Sequence, residues 1–214
     1  MGRKRTPEVD ALATRERILE TAERLFRKVG YSKTTVADVA SRLRMSPSNV
    51  YRYFPTKSDI NREICSRIIR SIESRSEEAV APEARARDRV KSFVLAYHRS
   101  VRETIFNGTR LHDMVSLATE QHWDIFHRHA ERVCDALASL LARGVGAGEL
   151  RDLDVPRVAR AVQNALVVFI YPQLLEHLAN EDDAAARYGS LEEQLLFLVD
   201  TLFDGIGSRR PQPE

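Results

Sequence analysis

The sequence predicts an all-α protein: a small N-terminal group of short helices, then a larger helical bundle. Three observations carry this. Apolar residues recur at helical spacing along most of the 214 residues, no useful length alternates as a strand would, and helix-start signals precede the periodic segments. The composition agrees, with 43% hydrophobic and 30% charged residues, the balance of an ordinary globular chain.

In chain order, residues 11–29 read as the first helix. Ile18, Leu19, Ala22, Leu25, Phe26 and Val29 share one face of a 3.6-residue period, with Asp10 the expected N-cap and Gly30 the expected left-handed stop. Thr35-x-x-Asp38 opens a second helix as a capping box with Asp where Glu or Gln is usual, and Val36, Val39, Ala40 and Leu43 form its narrow apolar stripe. Ser46 then Pro47 opens a third, a hydroxyl cap followed by proline where no amide donor is missed. Pro55 ends it by disfavouring α geometry at Phe54. Thr56-x-x-Asp59 caps a fourth helix carrying Ile60, Ile64, Ile68 and Ile72.

Residues 76–88, with Pro82 inside them, are the expected break. Val90, Phe93, Val94, Tyr97 and Val101 mark a fifth helix that closes near Asn107-Gly108. Shorter helical material spans roughly 110–119, and a long helix runs from about 121 to 143, before the turn 143–150. Asp154-Val155-Pro156 opens another that continues into 165–178. Pro172 there either bends a continuous helix or begins a separate one. Ser190-x-x-Glu193 caps the last, with Leu191, Leu195, Leu198, Val199, Leu202 and Phe203 apolar.

Several function classes are excluded on these grounds. The longest apolar run, Ala165 to Tyr171, is far short of the roughly 20 residues of a membrane span. The N-terminus, MGRKRTPEVD, is basic without an apolar stretch of signal type, so a cytoplasmic protein is expected. Cys65 and Cys134 have neither zinc-ligand spacing nor disulfide density, and read as small buried side chains. No nucleophile elbow, phosphate loop or metal motif is present, so neither an enzyme nor a cofactor is expected. Charge is uneven: residues 1–60 hold 13 Lys/Arg against 7 Asp/Glu, and residues 61–214 hold 20 against 24. A basic module joined to a mildly acidic one suggests a polyanion partner for the first.

The second and third helices are separated by so few residues that they must cross steeply, as in a helix-turn-helix. On a wheel of residues 46–54, Val50 and Phe54 share the face that meets Leu43, Phe26 and Ile18. Pro47, Ser48, Asn49, Tyr51, Arg52 and Tyr53 are left near the N-terminus or on the outer side. Small first-turn residues and unpaired N–H groups favour a phosphate, Asn pairs with base edges, Tyr and Arg reach phosphates or bases, and Lys57 adds a charge. Taken singly, Tyr51 and Tyr53 are open to a second reading as half-buried core aromatics.

The span from Arg17 to Ile60 resembles the N-terminal DNA-binding domain of the TetR family of transcriptional regulators. The matching positions are Ile18-Leu19 with Ala22 and Leu25-Phe26, Gly30-Tyr31, Thr35 through Val39-Ala40, Ser46, then Val50-Tyr51 and Phe54 with Lys57. The resemblance covers about residues 12–72, with the helix-turn-helix at 35–54. It implies a homodimer whose third helices enter successive major grooves of a near-palindromic operator. By position, Pro47, Ser48 and Tyr51 fall where members touch bases or adjoining backbone, and Thr35, Asn49, Arg52, Tyr53 and Lys57 where phosphates are contacted. Two departures stand out. Arg44 occupies a turn position where Gly is common, at a cost on the order of 1 kcal/mol if the turn is left-handed, and is a candidate phosphate contact. Ala37 stands where some members place a base-reading side chain.

The resemblance further implies a C-terminal domain, here 84–207, that holds an inducer pocket and pairs with a second subunit. The segment 160–175 is apolar nearly all round and the 191–203 helix has a broad apolar face, so about 155–178 and 190–206 are the expected four-helix dimer interface. Five of the six histidines fall between 98 and 129, near Tyr97, Trp123 and Phe126. The expected pocket residues are Phe93, Tyr97, His112, Trp123 and Phe126, with ordinary core or surface roles the alternative. No spacing there supports a metal site. The function expected is a repressor released from DNA by a small-molecule effector.

Overall fold

A computed structural model describes residues 7–106, 123–170 and 187–207. Expected features at His112, at 107–122, at Pro172 and through the rest of 171–186 lie outside them, as does the Trp123 side chain. Among the described residues the elements are α1 Pro7–Val29, α2 Val36–Leu43, α3 Pro47–Tyr51, α4 Lys57–Glu78, α5 Ala86–Phe106, α6 Trp123–Gly146, α7 Val155–Ile170 and α8 Leu191–Ile206. The fold is all-α; the strand-like feature among them is one isolated bridge between Leu150 and Gly207. No described helix is long and apolar enough to cross a membrane.

Local signals explain most helix ends. Gly30 stops α1 with φ 102°, its N–H reaching Phe26 O at 3.0 Å. Thr56 and Asp59 form the capping box of α4, and Ser190 and Glu193 that of α8. Asp154 Oδ1 accepts the Arg157 N–H at 3.2 Å and so caps α7. One expectation is corrected: α1 begins at Pro7, so Asp10 lies inside the helix. Proline at a first helical position starts a helix without losing a backbone bond, and that start precedes Asp10.

The chain divides into two compact units, residues 1–69 with 104–126, and residues 70–103 with 127–214. The division falls within α4, whereas the break in helix between α4 and α5 lies at 79–85.

In the first unit α1 packs on α2 and α2 on α3. Its core joins Ile18, Leu19, Ala22 and Phe26 to Val36, Val39 and Ala40, Val50 and Phe54, then Ile60 and Ile64. Phe26 meets Tyr31 edge to face, ring centroids 5.0 Å apart. Cys65 is buried there, and burial pushes its thiol up to about 12.

In the second unit Phe93, Leu137, Leu166, Leu195 and Phe203 are among the buried core residues, with Cys134 also buried. Gly144 admits the close approach of α5: a Cβ there would meet Ala86 Cβ at 2.7 Å. Along α5, Arg87, Lys91 and Arg99 pair with Asp204, Asp200 and Glu192 of α8. Partners descend as the cations ascend, which sets the two helices antiparallel in one register.

Candidate nucleic-acid interface

The geometry of the first unit is built around one short helix. Thr35 N-caps α2: its Oγ1 accepts the Asp38 N–H at 3.1 Å, while Asp38 Oδ2 accepts the Thr35 N–H and hydroxyl at 2.7 Å each. These bonds hold the Asp38 carboxyl below its usual range. At the other end Arg44 adopts φ 54°, ψ 43°. Its N–H reaches Ser41 O at 3.1 Å and the Met45 N–H reaches Ala40 O at 2.9 Å, the paired bonds of a Schellman stop. Arg44 is the non-glycine residue with positive φ among those described. The turn is therefore left-handed, as glycine would make it, with an exposed arginine side chain in its place.

Ser46 then accepts the Asn49 N–H at 3.3 Å, and Pro47 begins α3. Five residues are too few to hold a helix by themselves. Val50 and Phe54, 0% and 2% exposed, anchor it to the core. The Arg15 guanidinium lies over the Phe54 ring at 4.7 Å and pairs with Glu63, closing the anchor from the other side. What remains outside is Pro47, Ser48, Tyr51 and Arg52, with Tyr51 48% exposed. Among the described residues the Ser48, Tyr51, Arg52 and Arg44 side chains have no polar partner. Asn49 is half-buried at the first turn of α3, and Ala37 is exposed on α2.

Two expected positions differ. Tyr53 is half-buried and packed on the core, because it follows the end of α3 and turns back towards it. Lys57 is turned inward: its Nζ donates to Tyr31 O and Thr34 O, both at 3.0 Å, and lies 4.2 Å from the Tyr31 ring centre. Burial pushes its pKa down from the usual lysine value. The ammonium is thus occupied by the loop between α1 and α2 rather than presented to a phosphate. No local signal in the sequence could place it there, since its acceptors lie 26 and 23 residues away.

Of the expected pocket residues, His112 and the Trp123 side chain lie outside the described residues. Phe93 and Tyr97 are buried in the second unit, while Phe126 packs on the core of the first. The second unit instead contains a polar cluster that periodicity did not reveal. Glu73 Oε1 accepts from His129 Nδ1 at 2.6 Å and from Arg132 Nε at 2.8 Å, and His129 Nε2 meets the Tyr97 hydroxyl at 2.7 Å. With the carboxylate accepting from Nδ1, a neutral imidazole takes the phenol proton at Nε2. Burial alone would raise the Glu73 carboxyl, but the bonds from His129 and Arg132 bring it below its usual range; burial pushes the Tyr97 phenol up. No three His, Cys, Asp or Glu side chains among the described residues gather as a metal site.

Comparison with known proteins adds the family. Residues 18–64 match the domain described as bacterial regulatory proteins, tetR family, and residues 86–188 match the tetracyclin repressor-like C-terminal domain. The chain is 19% identical over 171 residues to the HTH-type transcriptional regulator YhgD of Bacillus subtilis (strain 168), itself uncharacterized, covering 75% of this chain and 84% of that one. A TetR/AcrR-family regulator from Thermobifida fusca shares the fold with TM-score 0.64 at 20% identity, over 92% of this chain and all of that one. SmeT, the repressor of the Stenotrophomonas maltophilia multidrug efflux pump SmeDEF, gives TM-score 0.62 at 20% identity, over 95% of this chain and 100% of its own. SmeT is also known as a triclosan complex. At these identities the structures speak for the fold, and the two matched domains, in the order an N-terminal helix-turn-helix and a larger helical domain require, make this chain a member of the tetR family of transcriptional regulators.

Proposed function

We propose that this regulator represses transcription by binding a near-palindromic operator as a homodimer, and that a small-molecule effector releases it. Members of the family are regulators and not enzymes. The observation that carries the reading is the outer face of α3, where core-anchored Val50 and Phe54 leave Pro47, Ser48, Tyr51 and Arg52 exposed without polar partners among the described residues. In a dimer two such faces would enter major grooves one turn, about 34 Å, apart.

In this proposal residues 12–72 read DNA and residues 84–207 bind effector and pair subunits. Pro47, Ser48 and Tyr51 touch bases or the adjoining backbone. Thr35, Arg44, Ser46, Asn49, Arg52 and Tyr53 position the helix on phosphates, and Lys57 supports them by holding the α1–α2 loop. Pairing through 155–178 and 190–206 is supported by apolar side chains left in water: Val167, Val168 and Phe197 are 40%, 42% and 73% exposed. The triclosan complex of SmeT supports a small-molecule effector.

The test is to recover bound duplexes from a random-sequence pool and assay them with three variants. Ser48→Ala and Tyr51→Phe are expected to change sequence preference, by about 1–3 kcal/mol at the affected base pair, whereas Arg52→Ala weakens all duplexes alike and lowers the salt slope by about 1. All three binding as tightly as the parent at fixed salt would remove that face from the reading. For the effector, a compound that raises the melting temperature must also weaken duplex binding; stabilising compounds that leave binding unchanged count against release.

A further inference from the structure

Beyond α3, the first unit has a concavity of about 520 Å³ between α1 and α2. Its walls are Arg17, Glu20, Arg24 and Lys28 of α1 and Arg42 of α2, with Leu25 and Leu43 also lining it. Four cations thus face one carboxylate. Four other cations of the same unit are matched, Arg15 by Glu63, Arg27 by Glu23, Arg62 by Asp124 and Arg67 by Glu16, whereas Arg44 and Arg52 beside α3 are not matched among the described residues. Among the described residues none of Arg17, Arg24, Lys28 and Arg42 has an ion-pair partner. Arg24 bonds only the hydroxyl of Thr21 and the Glu20 carbonyl. Asp38, the acid that attracts Arg42, has one oxygen occupied by the cap at Thr35. The excess of positive charge is therefore not neutralised by the described residues of the unit.

We propose that this concavity holds phosphates of the same DNA duplex outside the stretch read by α3, an inference that rests on the DNA-binding reading above. Two observations favour a duplex over a small anion. From Arg17 to Lys28 the row runs eleven residues, about 16 Å along α1 at 1.5 Å per residue. Over that distance a duplex presents several charges, one per roughly 1.7 Å of axis, where a single phosphate would meet one end. Further unpaired charge follows close in sequence, since exposed Arg44, in the turn that leads into α3, is separated from Arg42 by Leu43 alone. Leu25 and Leu43 keep the base of the groove apolar, and the guanidinium heads stay at its rim.

The experiment uses the full chain and a duplex recovered from the random pool, once trimmed to the preferred core and once with about 10 flanking base pairs on each side, one helical turn. For the triple variant Arg24→Ala/Lys28→Ala/Arg42→Ala, affinity for the flanked duplex is expected to fall at least tenfold. Its salt slope should be shallower by about 3, near 0.9 for each phosphate that is no longer neutralised. Affinity for the trimmed core and the preferred sequence should stay as in the parent. Arg24→Lys/Arg42→Lys keeps the charge and should bind like the parent, which separates loss of charge from loss of fold. Equal affinity and slope for parent and triple variant on the flanked duplex would overturn the proposal. So would tripolyphosphate stabilising the parent but not the triple variant while duplex binding is unchanged, which would mark a small-anion site. If the parent retains no duplex from the pool, the DNA reading itself has failed.

Discussion

Arg44 holds a backbone conformation that favours glycine, at a cost on the order of 1 kcal/mol. Arg44→Gly should raise the unfolding free energy by about 0.5 kcal/mol, the relief being partly offset by the greater freedom of glycine in the unfolded chain. It should also weaken duplex binding at low salt, because the proposed interface then has one cation fewer. Denaturant melts read the first effect and a salt-titrated binding assay the second; a less stable variant would contradict the left-handed turn. His98 offers a test against pH. It is fully buried, with Nδ1 2.6 Å from Phe169 O and Nε2 without a partner among the described residues. Burial lowers its pKa below the ordinary 6.5, helped by Arg102 and Arg99 and opposed by the Phe169 carbonyl and Glu192. The unfolded chain therefore takes up this proton first, so stability is full above about pH 6.5 and is lost as pH falls towards the folded value. The denaturation midpoint should drop between about pH 7 and 5 in the parent and drop less in His98→Gln. Equal drops would show that His98 is not responsible.

At the scale of elements, Lys57 acts as a clasp from the first residue of α4 to the loop between α1 and α2. Lys57→Met keeps the aliphatic stem but leaves two carbonyls without their donor. The expected loss is about 1 kcal/mol, discounted for partial exposure, with a salt slope shifted by less than one phosphate's worth. A slope shallower by that full amount, with stability intact, would restore the direct phosphate role. The contrast with Thr35, Thr56 and Ser190 explains what the sequence revealed. Each of these caps closes over three residues, so residue type and spacing determine it. Lys57 finds its acceptors across a tertiary gap, and Tyr53 packs inward only because the chain turns after α3. The left-handed geometry of Arg44 was open for the same reason: an arginine does not announce positive φ as a glycine would.

For the whole molecule, the basic first part and helical second part were legible because both are sums over many residues. The composition of the units was less so, since Asp124 and Phe126 join the first 69 residues only through tertiary contacts, and the Arg87, Lys91 and Arg99 pairs of α5 reach more than 90 residues to α8. Pairing of two chains is tested by Phe197→Glu. At 73% exposure the substitution should leave the helical signal of a single chain unchanged, while light scattering shifts from dimer to monomer. A parent that is already monomeric at micromolar concentration would end the dimer reading. The two cysteines have a practical consequence. One buried thiol lies in each unit, Cys65 in the first and Cys134 in the second, and Cys65, with burial raising its thiol to about 12, offers almost no thiolate at neutral pH. Timed alkylation followed by mass analysis of the two peptides would register each unit's opening separately, so the chain carries two internal clocks that need no added label.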